Sequence, residues 1–299
     1  MSLRSFTKIT RINFLPASLI PFLIGTAFAF KNGYEIPAIR FIPALLGVLS
    51  AHLAGNVLNN YFDYRSGADD INVKRSPFFG GSRVIHHGEM GPLQVLALGL
   101  GFLLFSFLCG IFIFLVTKNP VIIILGATAG LLTYSYTAPP LKLAYRRLGE
   151  VDIFVLFGVL LVMGGFYLFA EIFTFSSFLI SLPISFLIAG VILCNEVPDH
   201  DADAKAGKKN LISLTGKENS YILYAVSMIL AAASIIVNIY YGNLPAVGLL
   251  LLVLFILGLQ AIYVLKKNYK DFDCLIDASK KTITLHALAG LANIILLII

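Results

Sequence analysis

Long apolar runs free of charge recur along nearly the whole chain, and they fix what it can become. A bilayer core of about 30 Å needs about 20 apolar residues as a helix. Such runs cover Ile12–Phe30, Phe41–Phe62, Gly91–Thr117, Asn119–Leu141, Ile153–Ala170, Ile172–Asn195 and Thr282–Ile299. A longer stretch, Asn219–Leu265, exceeds one span and is broken by the turn signal Tyr240-Tyr241-Gly242-Asn243-Leu244-Pro245. None shows the alternation of a barrel strand. The expected fold is all-α, a polytopic membrane bundle of nine transmembrane helices. With 58% hydrophobic and 13% charged residues and a mean hydropathy of +0.88, the chain is excluded from the water-soluble class. The first run, beginning near Asn13, is about a full span and reads as a span rather than a cleaved leader.

Charge supports the count and gives an orientation. With the N-terminus inside, 19 of the 22 Lys and Arg residues fall on inside segments, as the positive-inside rule asks. The formal charge of +6 is therefore read as loop anchoring, with no nucleic-acid partner. The expected location is an integral membrane protein of the plasma membrane or an organellar equivalent, its N-terminus and active site cytoplasmic. Fourteen of the 16 acids also fall inside. The positive-inside rule makes no such demand, so that face has a use for carboxylates. Cys109, Cys194 and Cys274 have neither metal spacing nor a disulfide pattern.

Two acidic motifs share one spacing. Asn59 and Asp63 close the second span, with Asp69 and Asp70 just beyond Gly67, the expected helix end. Asn195, Asp199 and Asp203 close the sixth, where Pro198 is expected to kink or restart the helix. Asn195 and Asp199 repeat Asn59 and Asp63 at an offset of 136 residues. This points to two pseudo-repeats in one domain, about 1–145 and 146–280, with a last helix 282–299. The two clusters then face each other across the bundle. Carboxylate and amide oxygens suit Mg²⁺, which takes one or two carboxylates and completes its shell with water and phosphate. The candidate metal ligands are Asn59, Asp63, Asp69, Asp199 and Asp203, holding two or more Mg²⁺ ions, with Mn²⁺ also compatible.

Basic residues follow each cluster. Lys74, Arg75 and Arg83 come after the first, and Lys205, Lys208 and Lys209 after the second. Lys142 follows Tyr134-Ser135-Tyr136-Thr137-Ala138-Pro139-Pro140-Leu141. Each basic residue has two readings, membrane anchor or clamp on diphosphate oxygens. The candidate diphosphate binders are Asn59, Lys74, Arg75, Arg83, Lys142, Asn195 and Lys208. Tyr134 and Tyr136 are either interface anchors or a face that stabilises a cationic intermediate. With Asp63 and Asp199 they form the candidate catalytic set.

These features together resemble the UbiA superfamily of intramembrane prenyltransferases over the whole chain. The likeness rests on the two acidic motifs, the span count and the Tyr-x-x-Pro-Pro-Leu-Lys segment. The family's commonest first motif is Asn-x3-Asp-x3-Asp; here Gly67 stands in the last place and the next acid is Asp69. The form Asn59-x3-Asp63-x5-Asp69, with Gly80-Gly81-Ser82-Arg83, is similar to the menaquinone and vitamin K branch. The resemblance implies Mg²⁺-dependent transfer of a polyprenyl group, geranylgeranyl or longer, from its diphosphate to an aromatic acceptor through an allylic carbocation. In that branch the acceptor is 1,4-dihydroxy-2-naphthoate. Geranylgeranylglyceryl phosphate and other quinone precursors are the alternatives, and the isoprenoid tail would contact membrane lipid. A transporter or divalent-cation channel is a remoter alternative, because such sites lie near the bilayer midplane and these acids lie at span ends.

Overall fold

The computed structural model describes residues 2–71, 76 and 78–299, the side chain of Asp69 excepted. Among the described residues there is no strand. An amphipathic helix α1 (Leu3–Thr10) precedes the bundle. The bundle is built from α2 (Pro16–Lys31), α3 (Ala38–Ser66), α4 (Pro92–Thr117), α5 (Pro120–Ser135), α6 (Gly149–Ala170), α7 (Phe175–Lys205), α8 (Ser220–Tyr240), α9 (Ala246–Lys267) and α10 (Phe272–Ile298). Proline stands at the start of α2, α4 and α5, where its missing N–H removes no helical bond. The turn expected at residues 240–245 separates α8 from α9. The last run is part of a longer helix that begins at Phe272.

Eight helices among the described residues are long and apolar enough to cross a bilayer, one fewer than the nine expected. The difference lies in α5. Its apolar run continues to Leu141, but the helix ends at Ser135. The following Pro139-Pro140 pair has no N–H groups to donate and restrains the residue before it away from helix. Sixteen residues make about 24 Å of helix, short of about 30 Å of hydrocarbon. The helix keeps its place in the bundle, against α3 and α4.

α7 is the central element. It packs on α8, α10 and α6 and is apolar around most of its circumference. Of the two outcomes expected at Pro198, a restart does not occur; Pro183 and Pro198 both lie inside one continuous helix. The outward faces carry exposed large apolar residues such as Leu104, Leu108, Ile124, Ile229, Leu250 and Val253. The chain is an integral membrane protein, with an apolar rim for lipid and its acids gathered at helix ends.

Candidate functional site

α3 and α7 each carry one acidic motif in their last three turns, and both motifs open onto one cavity. Asn59, Asp63, Asn195, Asp199, Asp203 and Lys208 all line it. Gly67 ends α3 in the left-handed conformation at φ +75°, as expected. The short turn after it bears Asp70, whose Oδ1 lies 2.6 Å from His86 Nε2, off the cavity lining. The candidate ligand Asp69 has its side chain outside the described residues, and Lys74 and Arg75 lie outside them altogether.

Asp63 is held by three neighbours, Asn59, Tyr145 and Lys208. It is 6% exposed. Asn59 Nδ2 donates to its Oδ2 at 3.2 Å, and the Tyr145 hydroxyl donates to its Oδ1 at 3.4 Å. Lys208 Nζ stands 2.9 Å from Asp63 Oδ1 and 3.8 Å from Asp203 Oδ1. One ammonium thus bridges the two motifs. Burial works against that charge, but Asp63, Asp203 and the Tyr145 hydroxyl outweigh it and hold the Lys208 pKa well above the ordinary lysine value. Burial and the neighbouring Asp63 push the Tyr145 phenol up, so it stays a donor.

The loop after α7 is tied to the segment between α5 and α6. The Leu211 N–H donates to Glu150 Oε1, and the Arg147 N–H donates to the Lys209 carbonyl at 2.5 Å. The Lys208 N–H donates to the Asp203 carbonyl just beyond Gly207, which turns the chain back at φ +76°. These bonds close one wall of the cavity. Phe78, Phe79, Gly80 and Gly81 form another, so the glycine segment lines the site while Arg83 does not.

Tyr136 lines the cavity; Tyr134 instead packs edge-on against Phe62, with ring centroids 5.9 Å apart. Lys142 is also off the lining, its ammonium 5.2 Å above the Tyr145 ring. Four titratable lining groups were not singled out from the sequence: Arg11, His52, Asp152 and Glu196. Asp152 and Glu196 had a signal, since both are acids beside apolar spans.

The donor set fits a hard divalent cation. Asn195 Oδ1 and Glu196 Oε2 are buried without a hydrogen-bond partner among the described residues, in a cavity already rich in carboxylate oxygen. Among the described residues, no three His, Cys, Asp or Glu side chains form a ready-made metal cluster. That suits a cation that takes few protein ligands and shares phosphate oxygens with its substrate.

At its inner end the polar cavity meets a second, apolar one. His52, Thr133, Leu156 and Phe157 line both. The second runs between α3, α4, α5 and α6 past Gly47, Cys109, Gly126 and Gly164. His52 at the junction is buried, with its Nδ1 2.8 Å from Ser18 Oγ and its ring edge-on to Phe157.

The model of the UbiA prenyltransferase family matches residues 18–275. A 1,4-dihydroxy-2-naphthoate octaprenyltransferase of Bacillus subtilis (strain 168) is 30% identical over 224 residues, 75% of this chain and 70% of that protein. Two solved structures share the fold. One, reported for digeranylgeranylglyceryl phosphate synthase in membranes, has a TM-score of 0.68 and 20% identity, covering 99% of this chain and 98% of that one. The other, a UbiA homologue from Archaeoglobus fulgidus bound to DMAPP and Mg²⁺, has a TM-score of 0.64 and 16% identity, covering 97% and 99%. The chain belongs to the UbiA prenyltransferase family and is an enzyme that transfers a prenyl group.

Proposed function

We propose that this enzyme transfers a polyprenyl group, geranylgeranyl or longer, from its diphosphate to 1,4-dihydroxy-2-naphthoate, at a site on the cytoplasmic face. The observation that carries this reading is the union of both acidic motifs in one polar cavity that continues into an apolar one. A diphosphate head with a hydrocarbon tail has that same division. The 30% identity to the Bacillus subtilis naphthoate enzyme supports the acceptor. The weight of Lys and Arg on one set of segments supports the cytoplasmic side. The matched motifs also support two repeats, about 1–145 and 146–280, with the last helix appended.

Asn59, Asp63, Asp199 and Asp203, joined by Asp69, would hold two or more Mg²⁺ ions. The structure of the Archaeoglobus fulgidus homologue with DMAPP and Mg²⁺ supports magnesium, and Mn²⁺ suits the same oxygen donors. Mg²⁺ bound there supplies positive charge against the departing diphosphate. The chain's residues do the rest. Lys208 contributes a permanent positive charge between the motifs, within reach of phosphate oxygens. Asn59 orients the Asp63 carboxylate, and Asn195 offers its amide to the head group. The apolar cavity takes the tail. As the allylic C–O bond breaks, the face of Tyr136 stands by the developing cation. Phe78 and Phe79 limit water, which would otherwise consume the cation.

Geranylgeranylglyceryl phosphate is the second reading, favoured by the shared fold with the digeranylgeranylglyceryl phosphate synthase structure. A product assay in detergent separates the two. Geranylgeranyl diphosphate and Mg²⁺ are supplied with either acceptor, with EDTA controls. A metal-dependent prenylated naphthoquinol supports the first reading. Product with the glyceryl phosphate alone overturns it in favour of the second. Product with neither overturns both.

A further inference from the structure

Asp152 stands apart from both acidic motifs. It lies in the first turn of α6, is 4% exposed and lines the polar cavity. Among the described residues, neither of its carboxylate oxygens has a hydrogen-bond partner. A buried carboxylate left this way is destabilising unless something in the working cycle meets it. Glu150, two residues earlier, has a structural task, because its Oε1 accepts the Leu211 N–H. Asp152 has none of that kind.

Its place indicates what meets it. Leu156 is one helical turn further along α6, on the same face, and lines both cavities. Phe157, His52 and Thr133 complete that junction. A prenyl diphosphate with its head among the acidic motifs and its tail in the apolar cavity has its reactive allylic carbon at this junction. The acceptor must reach the same point. A carboxylate one turn away, with open acceptor oxygens, is suited to a hydroxyl donor.

We propose that Asp152 is a further catalytic residue, the base that takes the proton from a hydroxyl of the prenyl acceptor. The inference rests on the prenyl-transfer reading above. As Asp152 removes the hydroxyl proton, the O–H electron pair flows into the aromatic ring. The allylic C–O bond breaks, its electron pair leaving with the diphosphate, and the carboxylate-bearing ring carbon forms a C–C bond to the allylic carbon. That ring carbon then releases its carboxylate as CO2, and the electron pair of the broken bond restores the aromatic ring as a naphtholate. The proton on Asp152 returns to the naphtholate oxygen or passes to water. An alcohol acceptor would lose its proton to the same carboxylate and form a C–O bond instead.

The test uses the full chain in detergent with geranylgeranyl diphosphate, Mg²⁺ and a series of 1,4-dihydroxy-2-naphthoates of graded hydroxyl acidity. Asp152→Asn should lower kcat by about 10²–10⁴-fold, the usual share of general-base catalysis, with unchanged affinity for geranylgeranyl diphosphate and unchanged Mg²⁺ dependence. More acidic acceptors should narrow the gap, and Asp152→Glu should recover part of the loss. If Asp152→Asn does not fold, Asp152→Glu carries the test through a changed dependence of rate on acceptor acidity. Wild-type rates in Asp152→Asn would overturn the inference alone, as would a loss traced to Mg²⁺ or diphosphate affinity, or one equal for all acceptors. An unaltered chain that makes no product with either acceptor class would instead sink the transfer reading, and this inference with it.

Discussion

Lys208 Nζ lies 2.9 Å from Asp63 Oδ1, across 145 residues of sequence, and so links the loop after α7 to the end of α3. The pair is mostly buried, at 15% and 9% side-chain exposure. Removing one partner of such a pair leaves the other desolvated and unbalanced, at a cost of about 3 kcal/mol. Lys208→Met should therefore lower thermal stability in detergent and weaken prenyl diphosphate binding together. Melting curves and a binding titration check both. Loss of binding with an unchanged melting temperature would mean that the bridge adds nothing to the fold.

The sign of the Lys208 shift sets a pH window. Its folded pKa is raised above the ordinary 10.5, so its contribution to stability is fully present below 10.5 and is lost only as pH rises through the raised value. The difference in stability between the unaltered chain and Lys208→Met should stay flat from neutral pH to about pH 9 and shrink only in strong alkali. A difference that collapses near neutrality would contradict the ion pair.

Asp63→Ala and Asp199→Ala should each abolish turnover, because each deletes an oxygen donor from one of the two motifs facing the cavity. Both chains should remain helical, since neither residue belongs to the apolar core. Product assay and circular dichroism on the same preparations decide it. Near-normal turnover in either variant would dismantle the two-motif site.

Most of this architecture is legible in the amino-acid sequence, for physical reasons. Long apolar runs have one solution in lipid, and the Lys and Arg distribution constrains how they thread. The repeated Asn-x3-Asp spacing named two helix ends, and those ends share one cavity. What escaped depends on three-dimensional closure. Lys208 was a candidate from the sequence, but spacing gives no physical reason for it over Lys205 or Lys209; the turn at Gly207 and the Lys208–Asp203 backbone bond supply that reason. Lys142 looked well placed beside its prolines, yet it lies over the Tyr145 ring. Asp152, an acid beside an apolar span, was passed over because the charge-free run begins at Ile153, whereas the helix begins at Gly149 and takes the acid into its first turn.

The seam between α2 and α6 offers a packing test. A Cβ on Gly25 would stand 2.0 Å from the Val162 carbonyl oxygen and 2.9 Å from the Phe166 nitrogen, both backbone atoms that cannot step aside. Gly25→Ala should force the two helices apart and cost about 1–3 kcal/mol. Gly101→Ala on α4 is the control, because nothing lies within 4 Å of its Cβ position. Thermal melts of both should separate sharply. An unperturbed Gly25→Ala would mean that the helices approach less closely than described.

The apolar cavity predicts a change in chain-length preference that leaves the head-group chemistry alone. Gly164 lines that cavity on α6, and a Cβ there meets nothing within 4 Å. A larger side chain is therefore accommodated by the backbone and fills space the tail would use. Helix propensity also favours the change, by up to about 1 kcal/mol. Gly164→Leu should fold at least as well as the unaltered chain. It should turn over dimethylallyl diphosphate with little change and lose activity with geranylgeranyl diphosphate, through a raised KM. Competition between the two diphosphates in one reaction gives the ratio of their kcat/KM values directly. If that ratio does not move toward the shorter substrate, the tail does not run past Gly164, and the cavity between α3, α4, α5 and α6 is not its channel.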